Sequence, residues 1–153
     1  MTDLDGATIH ASAVRVGESA VLIRGPSGSG KSRLAFDLIL AGRARVIPAA
    51  TLIGDDRVRL GKTGGQLTVH AVMELAGLIE IRGLGIRRCD FVPYAAIGLV
   101  VDLAAPDAER LPLPESLKMT LSGSQLARIP VAAGFDPLPL VAAALITQPA
   151  IGS

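Results

Sequence analysis

The sequence predicts an α/β fold in which a mixed β-sheet forms the core and helices are few. A short apolar run at residues 20–23 is followed by a glycine-rich stretch and then by residues with helical spacing, which gives the order strand, loop, helix. Beyond this unit lie several short segments of strand composition but only one further segment with helix signals. We therefore expect a sheet flanked by two helices.

The opening segment favours two strands joined by a turn. Residues 8–16 alternate in part between polar and apolar side chains, and Gly17 and Glu18 offer a tight turn after them. Residues 19–24 contain a continuous apolar run, which is typical of a strand buried on both faces.

Residues 31–41 change to the period of a helix. Arg33 and Asp37 fall on the polar side, and Gly42 is predicted as the C′ residue that ends the helix. The apolar stripe on the opposite side consists of Leu34, Ala35, Leu38, Ile39 and Ala41.

The rest of the chain predicts short strands and a final helix. Gly64 and Gly65 read as a hairpin turn, residues 106–114 as a proline-rich loop, and residues 138–147 as a helix with Pro137 or Pro139 near its first turn. Strands are predicted near residues 52–53, 58–60, 66–70, 78–82 and 97–103.

Composition excludes several classes of protein. The chain has 153 residues, of which 50% are hydrophobic, so one compact domain over residues 1–153 is expected. Aromatic residues make up 3% and the net charge is +1, which leaves no stacking platform and no basic stripe for a nucleic acid. Cys89 is the one cysteine, so an internal disulfide is excluded and a reducing cytoplasm is expected. No targeting or membrane-spanning segment is recognisable in the sequence.

Residues 25–32 match the pattern G-x-x-x-x-G-K-[ST] between the predicted strand and helix. Glycines let successive backbone N–H groups turn inward and form a concave anion site, at which the helix N-terminus also points. Lys31 then reaches the β- and γ-phosphates of a nucleotide, and Ser32 ligates Mg²⁺. The predicted nucleotide-binding residues are Gly25, Pro26, Ser27, Gly28, Ser29, Gly30, Lys31 and Ser32.

Phosphoryl transfer also needs a carboxylate for the metal and a group that handles the nucleophile. Asp102 ends an apolar run, Asp55 and Asp56 follow another, and Glu80 lies inside a third. The aspartates also have ordinary interpretations as strand-end or turn residues. Because isoleucines flank Glu80, we expect it to be buried, with a metal ion or Arg82 offsetting the cost of burial.

The string I-E-I-R-G-L-G-I at residues 79–86 resembles the E-x-R-G-L-G-I signature of the HPr kinase/phosphorylase family. Other parts occur in the same order: His10 before the buried strand, then the glycine loop, then D-D-R-V at residues 55–58. The resemblance covers residues 9–134. It implies a P-loop-containing fold similar to the nucleotide-binding fold of phosphoenolpyruvate carboxykinases.

The resemblance implies an ATP-dependent serine kinase that acts on a regulatory serine of the phosphocarrier protein HPr. Many members also catalyse phosphorolysis of phospho-HPr, in which inorganic phosphate removes the group and pyrophosphate is released. ATP and Mg²⁺ are therefore the expected cofactors, an HPr-like protein the expected partner, and a hexamer the expected assembly. No nucleic acid or membrane partner is expected.

Site roles carry over where residues match. Asp55 resembles the general base with Asp56 in support, and Ser32 and Glu80 resemble the metal ligands. Asp102 is then a structural residue at a strand end. The catalytic residues that the resemblance implies are Asp55, Asp56, Lys31 and His10, although a histidine at a strand is often merely packed or hydrogen-bonded. Residues expected to dock the protein substrate are Arg82, Gly83, Leu84, Gly85, Arg87 and Arg88.

Two features depart from the family. Most members carry an N-terminal domain, which we expect to be absent here, as in truncated proteobacterial forms. Many bifunctional members have P-V-x-x-G-R-N after the signature, whereas Phe135 occupies the position of that arginine here. This loss of a cation predicts that kinase activity outweighs phosphorolysis, unless Arg128 compensates.

Two other functions remain open. One is a P-loop kinase of a small metabolite, and the other is a nucleotide-sensing regulatory module without catalysis. The string at residues 79–86 speaks against the first, and Asp55, Asp56 and Glu80 speak against the second, because a protein that only binds nucleotide needs no base.

Overall fold

A computed structural model describes residues 2–150 of the protein, with side chains from residue 8 onward. The described strands are β1 (Thr2–Ile9), β2 (Ser12–Val16), β3 (Ser19–Arg24), β4 (Ala50–Gly54), β5 (Val58–Thr63), β6 (Gln66–Ala71), β7 (Leu78–Ile81), β8 (Gly85–Arg88), β9 (Tyr94–Asp102), β10 (Lys118–Leu121) and β11 (Ser124–Pro130). The α-helices are α1 (Lys31–Arg43) and α2 (Leu138–Ile146), and short 3₁₀ helices span Met73–Leu75 and Pro114–Leu117. The expected sheet-rich α/β fold with few helices is confirmed.

Nine of the described strands form one mixed sheet, while β7 and β8 form a separate antiparallel pair. The main order is β1-β5-β6-β9-β3-β2-β4, with β11 and β10 branching from β9. The first residues of β9 pair antiparallel with β6, and its later residues pair in parallel with β3 and β11. The carboxyl ends of three parallel strands therefore meet at one edge, where ligands usually bind in α/β sheets.

Apolar side chains fill both faces of the sheet. On one face the predicted stripe of α1 is buried against β2, β3 and β4, so its interpretation is confirmed. On the other face a second cluster joins β5 and β6 to the same central strands. Burial of one such Leu or Ile side chain contributes about 2 kcal/mol, which holds α1 firmly on the sheet.

The predicted end of the first helix is wrong. Gly42 is not a C′ residue but lies inside α1, which runs to Arg43 and is capped at Ala44. A Cβ at Gly42 would approach the backbone nitrogen of Ala50 to 2.7 Å, so glycine serves close packing of the helix against β4 here. The left-handed residue after the helix is Arg45, with φ of +62°.

Other boundaries shift by a few residues. The predicted strand at residues 8–16 is two strands, because pairing with β5 ends at Ile9 and pairing with β3 and β4 begins near Ser12. The hairpin turn at Gly64 and Gly65 is confirmed, and so is the last helix within one residue. Strands β8, β10 and β11 were not predicted.

No helix within residues 2–150 has the length and apolar character needed to cross a membrane.

Candidate active site

The glycine loop leaves the carboxyl end of β3 and enters α1 at Lys31, which confirms the predicted order of strand, loop and helix. Gly28 and Gly30 have φ of +81° and +101°, a left-handed region that favours glycine. Open space surrounds both positions, since no atom lies within 4 Å of a Cβ built there. The loop therefore forms an open concave surface at the N-terminus of a 13-residue helix.

The ammonium group of Lys31 lies within this loop. Its side chain is 8% exposed, and Nζ donates hydrogen bonds to the carbonyl oxygens of Gly25 (2.9 Å) and Pro26 (3.3 Å). Among the described residues no carboxylate pairs with it. Ser29 Oγ is also buried and has no hydrogen-bond partner. An unpaired ammonium and an orphaned hydroxyl beside an open loop fit the phosphates of a nucleotide.

Asp55 is the carboxylate that the fold brings to the loop. It follows β4 and is buried. Its Oδ1 accepts hydrogen bonds from Ser12 Oγ at 2.8 Å and Ser32 Oγ at 2.7 Å, and its Oδ2 accepts one from the backbone N–H of Glu80 at 3.0 Å. Three elements, β2, α1 and β7, thus fix the orientation of one carboxylate.

Asp56 and His10 form the exposed side of the site. Asp56 has φ of +66°, an uncommon left-handed conformation for a residue other than glycine. His10 Nδ1 lies 3.9 Å from Asp56 Oδ1, and both side chains are well exposed to solvent. The structure thus brings His10 next to Asp56, in a contact that is wide and solvated.

Glu80 differs from its expectation. The predicted burial of its side chain is wrong, because Glu80 lies on the exposed side of β7 and contributes only its backbone N–H to Asp55. The described residues contain no cluster of three or more His, Cys, Asp or Glu side chains arranged for a metal.

The signature string forms an exposed hairpin. β7 and β8 pair antiparallel around a turn, and all four residues of β8 are exposed. The turn and β8 display Leu84 and Ile86, each more than 60% exposed, between arginines. The predicted docking residues Arg82, Gly83, Leu84, Gly85, Arg87 and Arg88 therefore lie on one projecting element. This element is joined to the site through Glu80 and Asp55.

Asp102 is held by two arginines. Arg24 donates to both of its oxygens, at 2.7 and 2.8 Å, and Arg128 Nε donates to Oδ2 at 2.6 Å. Burial alone would raise the pKa of Asp102, but the hydrogen bonds and charges of Arg24 and Arg128 outweigh it and hold that pKa below its ordinary value. Arg128 also binds Asp107, so its charge is fully engaged.

Ser12 is the site residue that the sequence did not reveal. It is completely buried, yet the only signal at this position is a hydroxyl residue among apolar neighbours. Its partner Asp55 is 43 positions away in the chain.

Two other features lie outside this site. A cleft of about 680 Å³ is lined by Arg15, Gly17 and Glu18 at the start of β3, whereas the glycine loop follows the end of that strand. Cys89 is unpaired and half-buried, and burial raises the pKa of its thiol.

Comparison with known proteins assigns the chain to a family. A family model described as the HPr Serine kinase C-terminal domain matches residues 4–148. The chain belongs to this family. The HPr kinase/phosphorylase of Bordetella pertussis is 34% identical over 152 residues, which cover 90% of this chain and 47% of that protein. That of Geobacillus thermodenitrificans is 34% identical over 80% of this chain and 41% of its own length.

The chain thus spans about half the length of the curated HPr kinase/phosphorylases that it matches. Among solved structures, the Hpr(Ser) kinase/phosphatase from Coxiella burnetii has a TM-score of 0.71 to this chain. The match covers 89% of this chain and 86% of that one at 24% identity. This likeness supports the same fold.

Proposed function

We propose that the chain is an ATP-dependent protein kinase domain that phosphorylates a regulatory serine of HPr. The observation that carries this proposal is the position of Asp55, a buried carboxylate hydrogen-bonded to Ser32 of the glycine loop, in a chain of the HPr Serine kinase C-terminal domain family. Phosphoryl transfer to a serine needs a group that accepts the proton of the nucleophile, and Asp55 is a buried carboxylate next to the loop.

The loop binds the phosphates of ATP in this proposal. Its backbone N–H groups and the N-terminus of α1 attract the anion, and Lys31 exchanges its bonds to Gly25 and Pro26 for phosphate oxygens. Lys31 then lies where negative charge accumulates during transfer and stabilises it.

Ser32 and Glu80 are the proposed ligands of Mg²⁺. Ser32 is at the start of α1, and the Glu80 side chain is free of burial on the strand that contacts Asp55. When bound there, Mg²⁺ neutralises charge on the nucleotide phosphates.

Asp55 is the proposed general base. A serine hydroxyl is a weak nucleophile, so a carboxylate that accepts its proton as the new bond forms assists the attack on the γ-phosphorus. The bonds from Ser12, Ser32 and Glu80 orient the Asp55 carboxylate. Asp56 and His10 line the exposed side, through which the substrate serine enters.

The hairpin β7–β8 is the proposed docking element for HPr. Its arginines and exposed Leu84 and Ile86 offer a cationic rim around apolar contacts. Because Glu80 of the same hairpin binds Asp55 through its N–H, docking there delivers the partner next to the base.

Kinase activity is proposed to outweigh phosphorolysis. Phe135 is 70% exposed and offers no positive charge, and Arg128 is engaged by Asp102 and Asp107 rather than free to bind phosphate. We expect Phe135→Arg to raise the rate of pyrophosphate release from phospho-HPr and phosphate relative to the kinase rate. Efficient pyrophosphate release by the unchanged protein would contradict this.

A homo-oligomer, a hexamer by the family resemblance, is part of the proposal. Side chains of α2 and its approach, among them Phe135, Leu140 and Ile146, are exposed and apolar, which supports burial against another copy. Light scattering measures this state directly. A cytoplasmic location is proposed with it, since a reducing compartment suits the unpaired Cys89.

The test is transfer of label from ATP to HPr in the presence of Mg²⁺. We expect Asp55→Asn to lower the rate by about 10²-fold or more, because general-base assistance is lost. Glu109→Gln, which removes an exposed carboxylate in the proline-rich loop, serves as the control and should retain the rate. ATP turnover without label on HPr would favour a metabolite kinase, and ATP binding without turnover would favour a nucleotide-sensing module.

A further inference from the structure

Ser12 stands where the backbone pairing of two strands stops. The β2–β4 ladder pairs Ala13 with Gly54, with an irregularity next to this pair. Beyond Gly54 the chain turns through Asp55 and Asp56, where no strand pairing holds it. The Ala11 N–H donates to Asp56 O at 3.2 Å, so the start of β2 still lies against this turn.

The Ser12 hydroxyl replaces the missing ladder bonds at this turn. Oγ donates to Asp55 Oδ1 at 2.8 Å and accepts from the backbone N–H of Asp56 at 3.2 Å. A hydroxyl has one hydrogen to donate and lone pairs to accept, so it can serve both partners together. One side chain therefore orients the Asp55 carboxylate and supports the left-handed backbone of Asp56, with φ of +66°.

Ser12 differs from the other hydroxyl on Asp55. Ser32 belongs to the glycine loop and has a proposed role toward the nucleotide, so its bond to Asp55 is exchangeable. Ser12 is 0% exposed on β2, which lies between β3 and β4, and its hydroxyl bonds to Asp55 and Asp56 rather than to the glycine loop. It is thus the partner of Asp55 that stays in place when the loop is loaded.

We propose that Ser12 is a positioning residue that holds the Asp55 carboxylate and the Asp55–Asp56 turn in the orientation needed for transfer. This inference rests on the proposed function, in which Asp55 is the base. Ser12 itself touches neither nucleotide nor partner protein. Its effect should therefore fall on kcat and leave the KM for ATP almost unchanged, because Lys31 and the glycine loop are intact.

The test compares Ser12→Ala with Ser12→Thr and with a matched control. We expect Ser12→Ala to lower kcat about tenfold or more, since small displacements of reacting groups are costly in rate. Ser12→Thr keeps a hydroxyl at this position and should therefore retain most of the kcat of the unchanged protein. Thr68→Val removes another buried hydroxyl, bonded to His70, and should leave kcat within about twofold. If Ser12→Ala does not fold, Ser12→Cys keeps the volume and weakens the hydrogen bond.

A crystal structure of the Ser12 variant provides a readout that does not depend on activity. We expect the Asp55 carboxylate to rotate away from its contacts with Ser32 and Glu80 when the hydroxyl is absent. An unmoved carboxylate, or a kcat equal to that of the unchanged protein, would overturn the inference. Absence of transfer to HPr by the unchanged protein would instead count against the proposed function, and the crystal structure would still decide the role of Ser12.

Discussion

Asp55 shows how single residues are constrained at this site. A buried carboxylate must have hydrogen-bond partners, because its charge is otherwise costly to remove from water. Here the partners come from three elements: Ser12, Ser32 and the N–H of Glu80. The contacts that make burial tolerable therefore also fix the direction of the carboxylate, which a catalytic base requires.

Lys31 is the residue whose removal should affect nucleotide binding most. We expect Lys31→Ala to weaken ATP affinity about tenfold or more, because a charge-assisted contact to phosphate is lost. Isothermal titration calorimetry measures the change. Arg33→Ala removes an exposed positive charge two residues along the same helix and is the matched control. Equal ATP affinity in Lys31→Ala and the unchanged protein would exclude the glycine loop as the site that binds the phosphates of ATP.

The sequence allowed prediction of residues whose roles are local. Gly28, Gly30, Lys31 and Ser32 lie in one short segment between β3 and α1, so their spacing alone predicts a loop that would hold phosphate. Ser12 could not be predicted, because its role depends on a partner 43 positions away. The burial of Glu80 was predicted wrongly, since flanking apolar residues do not show which face of a strand is covered.

At the level of elements, the hairpin β7–β8 lies outside the main sheet and is held to the core through Ile79. It pairs only with itself, and its second strand is wholly exposed, so its residues are available to a partner. The exposed side chains of Leu84 and Ile86 are costly to keep in water, so burying them against a docked partner would be favourable.

The hairpin should control the affinity for HPr. We expect the double variant Arg87→Ala/Arg88→Ala to raise the KM for HPr about tenfold while the KM for ATP stays unchanged. Steady-state kinetics with each substrate varied measures both values. Lys62→Ala/Lys118→Ala removes two exposed positive charges elsewhere and is the matched control. A rise in the KM for ATP alone would count against a docking role.

The ion pairs of Asp102 join three strands, β3, β9 and β11, at the edge that carries the glycine loop. Its pKa is lower in the folded than in the unfolded chain, so its contribution to stability is present above the ordinary aspartate pKa of 3.8. That contribution is lost as the pH falls through the lower folded pKa. Acid should therefore weaken the attachment of the β10–β11 hairpin.

Urea unfolding tests this network. We expect Asp102→Asn to lower the free energy of unfolding by about 3 kcal/mol at neutral pH, because Arg24 loses its carboxylate partner and Arg128 keeps only Asp107. Between pH 5 and pH 2, a range that spans the ordinary aspartate pKa of about 3.9, the free energy of unfolding should fall less in the variant than in the unchanged protein. Asp107→Asn, at an exposed partner of Arg128, is the control and should have a small effect. An equal fall in the free energy of unfolding with falling pH in both proteins would contradict the stabilising role of Asp102.

Elements with clear periodicity could be predicted, and those without it could not. The buried stripe of α1 and the apolar run of β3 could be predicted, because α1 packs against the sheet and β3 lies buried within it. Strand β8 is exposed throughout, so its sequence carries neither alternation nor a continuous apolar run. Strand β10 does alternate between polar and apolar residues, but its four residues are too few to indicate a strand. Gly42 was misplaced because its close contact with Ala50 belongs to packing between elements.

In the whole molecule, the mixed sheet brings distant segments to one edge. The ends of β3 and β9 lie side by side, with Arg24 opposite Asp102, and Asp55 reaches the glycine loop from β4. The chain matches the family over most of its own length but spans about half of its curated relatives. Its independent activity is therefore a property to be measured on this chain itself.

The most direct measurement is the mass of HPr after incubation with this protein, ATP and Mg²⁺, followed by peptide mapping of the modified residue. The proposed function predicts one added phosphoryl group, located on a serine of HPr, and far less of this product with Asp55→Asn at the same reaction time. HPr of unchanged mass, in a reaction where calorimetry shows that the protein binds ATP, would contradict it.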